Sequence, residues 1–397
     1  MDYLAAARDD DLLAFRRDLH AHPELSRHEE RTTRVILERL TEAGINARRL
    51  PGTGVVADLG PRDPAYRIAL RADIDALPVP EITGLPWAST VPGVCHACGH
   101  DVHATVVLGT ALVLKAQEKL LSELDAGVRL IFQPAEEVIP GGALEVMEAG
   151  AIDGVSRILA VHCDPGVEVG EVGLKVGAIT AASDSVEVTL TGRGGHTSRP
   201  HRTQDLTYAL AKVITDVPGA LSRRIDPRAG VALVWGSVHA GGAQNVIPST
   251  GSVSGTLRML DADVWRTISP VLEELVRAVV LPYGVSASVH HDQGVPPAVN
   301  DVGAVEALRA GVLGAGAVET STQQSLGGED FAWYLTRIPG ALARLGTRTP
   351  GGPVYDLHQG DLVVDEAAIG VGVQVLTQAT LWSIREARAL RTVSVAS

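Results

Sequence analysis

The chain has 397 residues, and its 47 Asp and Glu side chains outnumber its 34 Lys and Arg side chains, so the formal net charge at pH 7 is −13. Apolar residues make up 45% and charged residues 20%, an ordinary globular composition that excludes disorder for most of the chain. The acidic balance, with no long run of like charges, argues against a nucleic-acid partner and favours a protein that handles small molecules. The length suits two domains.

The three cysteines are an odd and sparse set, which excludes a disulfide framework and predicts reduced thiols in the cytoplasm. Residues 1–10 lack the basic start and apolar core of a signal peptide. The chain contains no run of about 18 uninterrupted apolar residues, so we expect no membrane span.

Residues 1–180 alternate between helical and strand-like segments. Apolar residues recur every three or four positions over residues 10–25 and 28–43, which predicts two amphipathic helices. Further helical stretches follow at residues 103–120 and 142–150. Strands are predicted from short aliphatic runs at residues 54–59, 67–71, 128–132 and 157–161. This alternation predicts an α/β layer with a mixed, largely parallel sheet flanked by helices.

The pattern changes near residue 180, where polar and apolar residues begin to alternate. Elements are predicted in the order β-α-β-β-α-β at residues 185–190, 205–221, 230–238, 252–258, 261–280 and 285–290. This order is that of a ferredoxin-like α+β unit. We therefore predict a domain of residues 181–294 inserted into a discontinuous catalytic domain of residues 1–180 and 295–397. A long helix over residues 365–390 ends the chain.

The densest group of reactive side chains lies at residues 95–103, which hold two thiols and three imidazoles. Thiolate and imidazole together are typical ligands of first-row transition metals. Cys98 and His100 are separated by one glycine and can point the same way from an extended loop. The alternative is a buried cysteine beside surface histidines, since free cysteine often acts as a small core residue.

Two adjacent carboxylates, Glu136 and Glu137, follow the predicted strand at residues 128–132. The carboxyl ends of sheet strands are where α/β folds place their active sites. Adjacent side chains project in different directions, so one glutamate can bind a metal while its neighbour holds a water molecule. Solvent-facing glutamates are the alternative.

Two more histidines are weaker candidates when each is considered alone. His162 ends the predicted strand at residues 157–161, where a packed or capping histidine is the commoner role, but it would emerge at the same sheet edge as the glutamates. His358 lies in a polar loop before the last helix.

The inserted domain carries its own polar residues. His196 lies in a glycine-rich segment at residues 192–201, whose glycines allow the backbone to approach a ligand closely. This segment lacks the spacing of a dinucleotide or phosphate-binding loop, and the chain has no Gly-x-Ser-x-Gly elbow. Arg258 is a candidate partner for a substrate carboxylate, although an arginine on a strand is more often a surface residue.

These residues occur within a longer series of motifs. The chain resembles, over nearly its whole length, the aminoacylase/carboxypeptidase/hippurate hydrolase family of co-catalytic metallopeptidases, in the branch that includes indoleacetyl-amino-acid hydrolases. The matching segments, in order, lie at residues 20–26, 70–78, 96–101, 133–137, 194–196, 245–248, 255–258, 328–331 and 357–358.

The resemblance implies a role for each candidate residue. A pair of divalent metal ions is expected to be held by Cys98, His100, Glu137, His162 and His358. Glu136 is implied as the general base, and Asp75 as an acid behind a metal ligand. The inserted domain is implied to be a lid that dimerises, with His196 reaching the partner subunit's active site. Asn245 and Arg258 look like substrate-contacting positions.

Three features depart from the branch's usual pattern. Cys95 stands where methionine is usual, and Cys163 stands where an aliphatic residue is commoner, so both thiols are extra candidate ligands. Residues 138–141 replace a glycine-rich run, which is expected to reshape the pocket wall.

The predicted activity is hydrolysis of N-acyl amino acids to a carboxylic acid and a free amino acid by metal-activated water. Action on dipeptides or other short peptides is the alternative within the same chemistry. A non-catalytic metal-bound protein that binds a ligand is the alternative from another class. Thiolate favours Zn²⁺, while the carboxylate and imidazoles would also accept Mn²⁺, Co²⁺ or Ni²⁺. We expect a cytoplasmic homodimer, or a higher oligomer, without membrane or nucleic-acid partners.

Overall fold

A computed structural model describes residues 9–396. Residues 1–8 and Ser397 lie outside the described residues. The prediction that residues 1–10 form no signal peptide falls mostly on this undescribed segment. The chain divides into two compact units. The first comprises Met1–Gly177, Asn300–Gln323 and Trp333–Ser397, and the second comprises Ala178–Val299 and Gln324–Ala332.

Helices and strands are numbered separately along the chain. The helices are α1 (Asp9–Ala21), α2 (Glu30–Glu42), α3 (His100–Lys115), α4 (Glu118–Glu123), α5 (Ala143–Glu148), α6 (Leu206–Arg224), α7 (Ala262–Val280), α8 (Val302–Ala315), α9 (Ala332–Leu335) and α10 (Ala367–Ala396). The strands are β1 (Asn46–Arg49), β2 (Val55–Leu59), β3 (Tyr66–Asp73), β4 (Ala126–Gln133), β5 (Arg157–Glu168), β6 (Glu171–Leu174), β7 (Gly177–Ala178), β8 (Ser183–Thr191), β9 (Gly195–His196), β10 (Ala232–Ala240), β11 (Val246–Ile247), β12 (Thr250–Arg258), β13 (Ser286–Val295), β14 (Val299–Asn300), β15 (Val318–Ser321) and β16 (Gly340–Arg348).

The first unit contains an eight-stranded sheet in the order β1-β2-β4-β3-β5-β16-β6-β15. The central strands β4, β3, β5 and β16 run parallel, whereas β1 with β2, β2 with β4, and β16 with β6 are antiparallel. The parallel strands are aliphatic and buried on both faces, as parallel strands covered by helices usually are. The predicted mixed, largely parallel sheet flanked by helices is therefore confirmed.

Two helix ends in the first unit differ from the prediction for local reasons. α1 ends at Ala21 rather than near residue 25, because Pro23 disfavours helical backbone at the residue before it. The predicted helix at residues 103–120 is two helices, and α3 begins earlier, at His100. Gly99 precedes it with a left-handed φ of 82°. This turn places His100, one of the histidines of the predicted metal-binding cluster, at the first position of α3.

The second unit has an antiparallel four-stranded sheet in the order β10-β12-β8-β13, and its elements follow the predicted sequence β-α-β-β-α-β. Alternate residues of β8 are buried, as expected for a strand covered on one face. Both helices start at an aspartate cap: Asp205 accepts from the Tyr208 amide, and Asp261 accepts from the Val264 amide. The roles of this unit as lid and dimerisation domain stay predictions.

The observed units differ from the predicted domain boundaries at residues 324–332, which we expected in the catalytic domain. The backbone of Ser325 explains the difference. Its amide donates to the Ile179 carbonyl at 2.9 Å, and its carbonyl accepts from the Ala181 amide at 3.0 Å. These bonds tie the segment to the start of the second unit.

Among the described residues, one helical segment, Ala367–Arg391 of α10, is long and apolar enough to cross a membrane by length and composition alone. Of its most apolar 18-residue window, 67% is buried inside the protein, and the helix packs against α3 and α8. This burial is typical of the central helix of a folded domain.

Candidate metal centre

The turn before α3 brings Cys98 and His100 to the end of the sheet. A Cβ atom on Gly99 would lie only 2.7 Å from the Cys163 sulfur, so the close approach of this turn to β5 requires glycine. The Cys98 sulfur, an imidazole nitrogen of His100 and one of His162 all lie within 4.8 Å of one another. The structure therefore brings together three of the predicted ligands from two distant chain segments.

The ring hydrogen bonds of His100 and His162 leave the same nitrogen facing this group. His100 Nδ1 donates to the Asp75 carbonyl at 2.9 Å, and His162 Nδ1 donates to the Cys163 carbonyl at 2.8 Å. Because a carbonyl only accepts, each Nδ1 carries a proton, and Nε2 of a neutral ring is then left with a lone pair. His162 Nε2 lies 3.5 Å from the Cys98 sulfur. His100 Nε2 is buried without a hydrogen-bond partner.

Glu136 and Glu137 follow β4 in a turn on the same side of the site. Glu137 Oε1 lies 3.7 Å from His100 Nε2, and Glu136 Oε2 lies 3.9 Å from the same nitrogen. Both glutamate side chains are only 9% exposed. Glu137 Oε1 forms no hydrogen bond, which is unusual for a buried carboxylate oxygen. The oxygen therefore has lone pairs available to bind a cation.

His358 completes the predicted ligand set from the loop before α10. Its backbone has a left-handed φ of 63°, and its amide donates to the Ala97 carbonyl at 2.8 Å. Nε2 of His358 lies 3.3 Å from Glu137 Oε1, and ligand atoms of Cys98, Glu137 and His358 lie within 4.8 Å of one another. The Cys98 sulfur is thus common to two groups of potential ligands.

The donor set fits the metal that the resemblance implies. One thiol, three imidazoles and one carboxylate, all side chains that bind first-row transition metals, converge, and two of their buried donor atoms form no hydrogen bond. The assignment of each side chain as a ligand stays a prediction.

The turn that carries the two glutamates is held by a buried carboxylate that sequence reasoning missed, that of Glu29. Glu29 Oε1 accepts from the Ala135 amide at 2.8 Å and from the Arg27 amide at 3.0 Å, while Oε2 accepts from the Thr53 hydroxyl at 2.6 Å. Ala135 has a left-handed φ of 57°, which costs about 1–2 kcal/mol for a residue with a Cβ. The bond to Glu29 offsets part of this cost and fixes the direction in which Glu136 leaves the strand.

Asp75 lies where the resemblance places an acid behind a metal ligand, and it contacts two of the predicted ligands. Its backbone carbonyl orients His100, and its Oδ2 accepts from the Glu137 amide at 3.0 Å and from the Ser26 hydroxyl at 2.7 Å. Burial alone would raise the pKa of this carboxyl, but the bonds from His100, Ser26 and Glu137 lower it. Asp75 is therefore placed to fix two donors relative to each other.

Asp73 and His103, which sequence reasoning did not assign, form a second buried pair beside the site. Asp73 Oδ1 accepts from His103 Nδ1 at 2.5 Å, and His103 Nε2 accepts from the Cys163 amide at 2.8 Å. Both nitrogens of His103 are therefore occupied, which excludes it as a ligand in this arrangement. Although burial opposes the charged carboxylate, His100, His103 and Arg71 hold the pKa of Asp73 well below its usual range.

A further network of charged side chains lies at the start of α3 and is centred on Asp101, the residue after His100. Asp101 Oδ2 forms an ion pair with Arg16 Nε at 2.7 Å and accepts a hydrogen bond from His20 Nδ1 at 2.9 Å, and His20 Nε2 lies 3.2 Å from Glu81. Burial opposes the charged imidazole, but Asp101 and Glu81 raise the pKa of His20 to about 9. The histidine motif at residues 20–26 thus contributes a cation that orders the start of α3.

The extra thiols of Cys95 and Cys163 are both buried and free. The Cys163 thiol lies 3.7 Å from the Gly99 carbonyl oxygen, and burial raises the pKa of both thiols, to about 11 for Cys95. Among the described residues, neither belongs to a group of three or more potential metal ligands. The two thiols therefore act as packed side chains in this structure.

The remaining predicted residues lie in the second unit. His196 pairs with Val246 in a short two-stranded ribbon, and the Asn245 carbonyl accepts from the Thr197 amide at 3.1 Å, so His196 and Asn245 are neighbours and both are exposed. Arg258 ends β12, and its guanidinium donates to the Leu326 carbonyl. The structure therefore groups His196 with Asn245 and places Arg258 on another strand.

The chain is similar in sequence and in structure to known hydrolases of amide bonds. The sequence profile of peptidase family M20/M25/M40 matches residues 69–381. A dinuclear metal-binding M20 peptidase from Bacillus subtilis, known from its crystal structure, is 34% identical, with a TM-score of 0.83 and coverage of 96% of this chain and 99% of that one. An N-acyl-L-amino acid amidohydrolase from Geobacillus stearothermophilus is 38% identical over 73% of this chain and 78% of its own length.

One relative is more similar but much longer. A Rhodococcus jostii (strain RHA1) protein named as a glutamate–cysteine ligase is 46% identical over 93% of this chain. The chain spans only 46% of the length of that relative, so its name says little about the matched part.

Proposed function

Because the chain belongs to peptidase family M20/M25/M40 and is a hydrolase of linear amide bonds, we propose that it cleaves N-acyl amino acids to a carboxylic acid and a free amino acid. One observation carries the proposal: two imidazole Nε2 atoms, the Cys98 sulfur and the carboxylates of Glu136 and Glu137 converge at one end of the sheet. The relative from Geobacillus stearothermophilus, named for this activity, supports the substrate class.

Two divalent metal ions are proposed to be held by Cys98, His100, Glu137, His162 and His358, because a similar M20 peptidase is dinuclear and these donors converge. When bound, such ions polarise the amide carbonyl and lower the pKa of water from about 15.7 toward 7. We propose Zn²⁺ because thiolate favours it, with Mn²⁺, Co²⁺ or Ni²⁺ as the alternatives.

Glu136 is proposed as the general base. Its carboxylate is 9% exposed and lies beside the donor group, where it accepts a proton from the attacking water and returns it to the leaving amine nitrogen. Glu29 and Asp75 hold the backbone on either side of Glu136, so the carboxylate is fixed before the substrate arrives.

The second unit is proposed to supply the remaining groups from a partner subunit. The strand β10 lies at the edge of its sheet, and Val234 and Val238 on it are 63% and 51% exposed. An exposed apolar edge strand favours pairing with a second copy of the chain. In the resulting homodimer, or higher oligomer, His196 is proposed to donate to the developing oxyanion, while Asn245 and Arg258 bind the substrate carboxylate.

Replacing His196 with alanine is expected to lower kcat by about 10²–10³, the usual loss for one oxyanion donor. His201→Ala is the matched control, since His201 is another exposed histidine of the same unit. Mixing the His196→Ala and Glu136→Gln proteins distinguishes the partner's contribution, because only a donor from the partner creates one native site in each mixed dimer. Unchanged kcat in the single variant would exclude the donor role, and no recovery on mixing would exclude action from the partner subunit.

The proposed activity is tested with metal-reconstituted protein and a substrate panel of N-acetyl, N-benzoyl and indoleacetyl amino acids, beside dipeptides with a free amine. We expect hydrolysis of at least one N-acyl class and at least one bound metal ion per chain. Faster cleavage of dipeptides would favour the peptidase alternative. Fewer than one metal ion per chain, with no hydrolysis of any substrate, would contradict the proposal.

We further propose that the enzyme works in the cytoplasm without nucleic-acid or membrane partners. The acidic net charge of −13 supports the absence of a nucleic-acid surface. The three free, buried cysteines suit a reducing compartment.

A further inference from the structure

Arg344 lies next to the candidate metal centre on a neighbouring strand. Residue 344 of β16 is in register with His162 of the parallel strand β5. Side chains of residues aligned across adjacent parallel strands project from the same face of the sheet. The neighbouring residues Ala343 and Leu345 belong to the apolar core on the opposite face, as do Val161 and Cys163 on β5. Arg344 therefore projects on the face from which His162 reaches the Cys98 sulfur.

The guanidinium of Arg344 has no partner in this position. Arg344 is 8% exposed, yet among the described residues its guanidinium makes no hydrogen bond and no ion pair. Its guanidinium nitrogens are not among the buried side-chain atoms that are both closed to solvent and without a hydrogen bond, so solvent reaches them. On the side away from His162, Arg344 is in register with Gly173 of β6, which offers no side chain to bind it.

The packing beside Arg344 leaves no room for a side chain at residue 173. A Cβ atom on Gly173 would stand 3.2 Å from Arg344 Cβ and 2.8 Å from Thr322 Cβ, so a larger residue would displace one of the two. The positive charge of Arg344 also lies beside the site, because Arg344 is the direct neighbour of His162 across the β5–β16 pair. The arginine is thus close enough for its charge to act on a predicted ligand.

An unpaired arginine in such a position is costly unless an anion joins it. Arginine stays protonated in proteins, so it cannot escape burial by losing its proton as lysine or histidine does. Metal ions at the adjacent centre would add further positive charge, while the predicted ligands Cys98 and Glu137 would be engaged by those ions. The anion that neutralises Arg344 must then come from outside this part of the chain.

We infer that Arg344 is a specificity-determining residue that binds a carboxylate of the substrate through its planar guanidinium. The inference rests on the proposed amidohydrolase function and deepens it, since it restricts the substrate class to acids with a carboxylate within reach of β16. The carboxylate belongs to the amino acid's α-position, to its side chain or to a dicarboxylic acyl group, and these three sources share one chemistry.

The test compares Arg344→Met and Arg344→Lys with the wild-type enzyme on three substrate pairs that differ by one carboxylate. The pairs are N-acetylleucine with its amide, N-acetylglutamate with N-acetylglutamine, and N-succinylleucine with N-butanoylleucine. The preference of an enzyme within a pair is the ratio of kcat/KM for the acid to kcat/KM for the partner that lacks this carboxylate. In one of the three pairs, Arg344→Met is expected to lower this ratio by about 10–100-fold, the loss expected for one charge-assisted hydrogen bond. Most of the loss should appear as a higher KM for the acid. Arg344→Lys is expected to restore part of the preference, because it keeps the charge but not the fork.

Arg348→Met is the matched control on the same strand. Arg348 is paired with Glu168 at 3.1 Å, so its loss is expected to lower thermal stability without changing any substrate preference. Arg344→Met, which removes an unpaired buried charge, is expected to keep or raise the thermal midpoint. A lowered midpoint with unchanged preference in all three pairs would assign Arg344 a structural role and overturn the inference. An equal loss of kcat/KM on every substrate would overturn it too.

A separate readout covers the case in which the wild-type enzyme cleaves none of these substrates and the proposed function fails. Binding of glutarate to the Zn²⁺-loaded protein is then measured by calorimetry. Binding that weakens at least 10-fold in Arg344→Met supports a carboxylate site at this arginine. Equal affinity in both proteins contradicts it.

Discussion

Replacing Glu136 with glutamine is expected to lower kcat by about 10²–10⁴ while the protein keeps its metal ions. Glutamine has nearly the same shape, but it cannot accept a proton from water. Glu136 lies beside the predicted ligands with its Oε2 3.9 Å from His100 Nε2, and the flanking backbone is held by Glu29 and Asp75. The substitution should therefore remove the base without moving the site.

The same substitution at two other glutamates provides the controls for the loss of the general base. Glu145→Gln removes an exposed carboxylate that pairs with Arg27 and should leave kcat unchanged. Glu137→Gln should lose both metal content and activity, because its Oε1 is a predicted donor. Steady-state kinetics with metal analysis distinguishes the three variants. A Glu136→Gln enzyme with wild-type kcat would show that another group accepts the proton.

Removal of the metal ions by a chelator is expected to abolish hydrolysis and to lower the thermal midpoint, and both changes should reverse on adding Zn²⁺. Ligands that bind only the folded chain stabilise it by RT ln(1 + [L]/Kd), or about 4 kcal/mol at a thousandfold excess over Kd. The buried oxygen and nitrogen donors that lack hydrogen bonds, in Glu137 and His100, would gain partners on binding. Scanning calorimetry and an activity assay on the same samples measure both effects.

The pH dependence of this metal binding follows from Cys98. Burial raises the pKa of its thiol, so the metal-free chain holds the proton at neutral pH, whereas a metal ion binds the thiolate. Binding therefore releases this proton, and affinity is expected to rise with pH. Calorimetry in buffers of different ionisation enthalpy counts the released protons, and Cys98→Ser should release about one fewer. Metal affinity that stays constant with pH, or equal proton release by Cys98→Ser, would contradict the role of Cys98.

Most secondary structure was predictable because it depends on local periodicity. The aliphatic run at residues 67–71 lies inside β3, and the alternating pattern at residues 185–190 lies inside β8. The errors fell where a single residue overrode the periodicity, as Pro23 does at the end of α1 and Gly99 does at the start of α3.

The candidate site residues could be proposed from the sequence because their side-chain types are unusual in combination. A thiol and an imidazole separated by one glycine, and two adjacent glutamates after a strand, are side chains that bind transition metals, which made these residues candidates. His103 shows the limit of this reasoning. It stands in the same dense cluster as His100, but its nitrogens are occupied by Asp73 and the Cys163 amide, and only the folded chain brings these partners to it.

The order of helices and strands and the residue types of the candidate site can be read from the sequence, because periodicity and side-chain type are properties of short segments. Which side chains orient the candidate site, and which have no partner, depends on the folded chain. Glu29 reaches Ala135 across 106 positions, and Arg344 stands beside His162 across 182. Such contacts depend on sheet register and on the closure of long loops, and no local pattern records either of them.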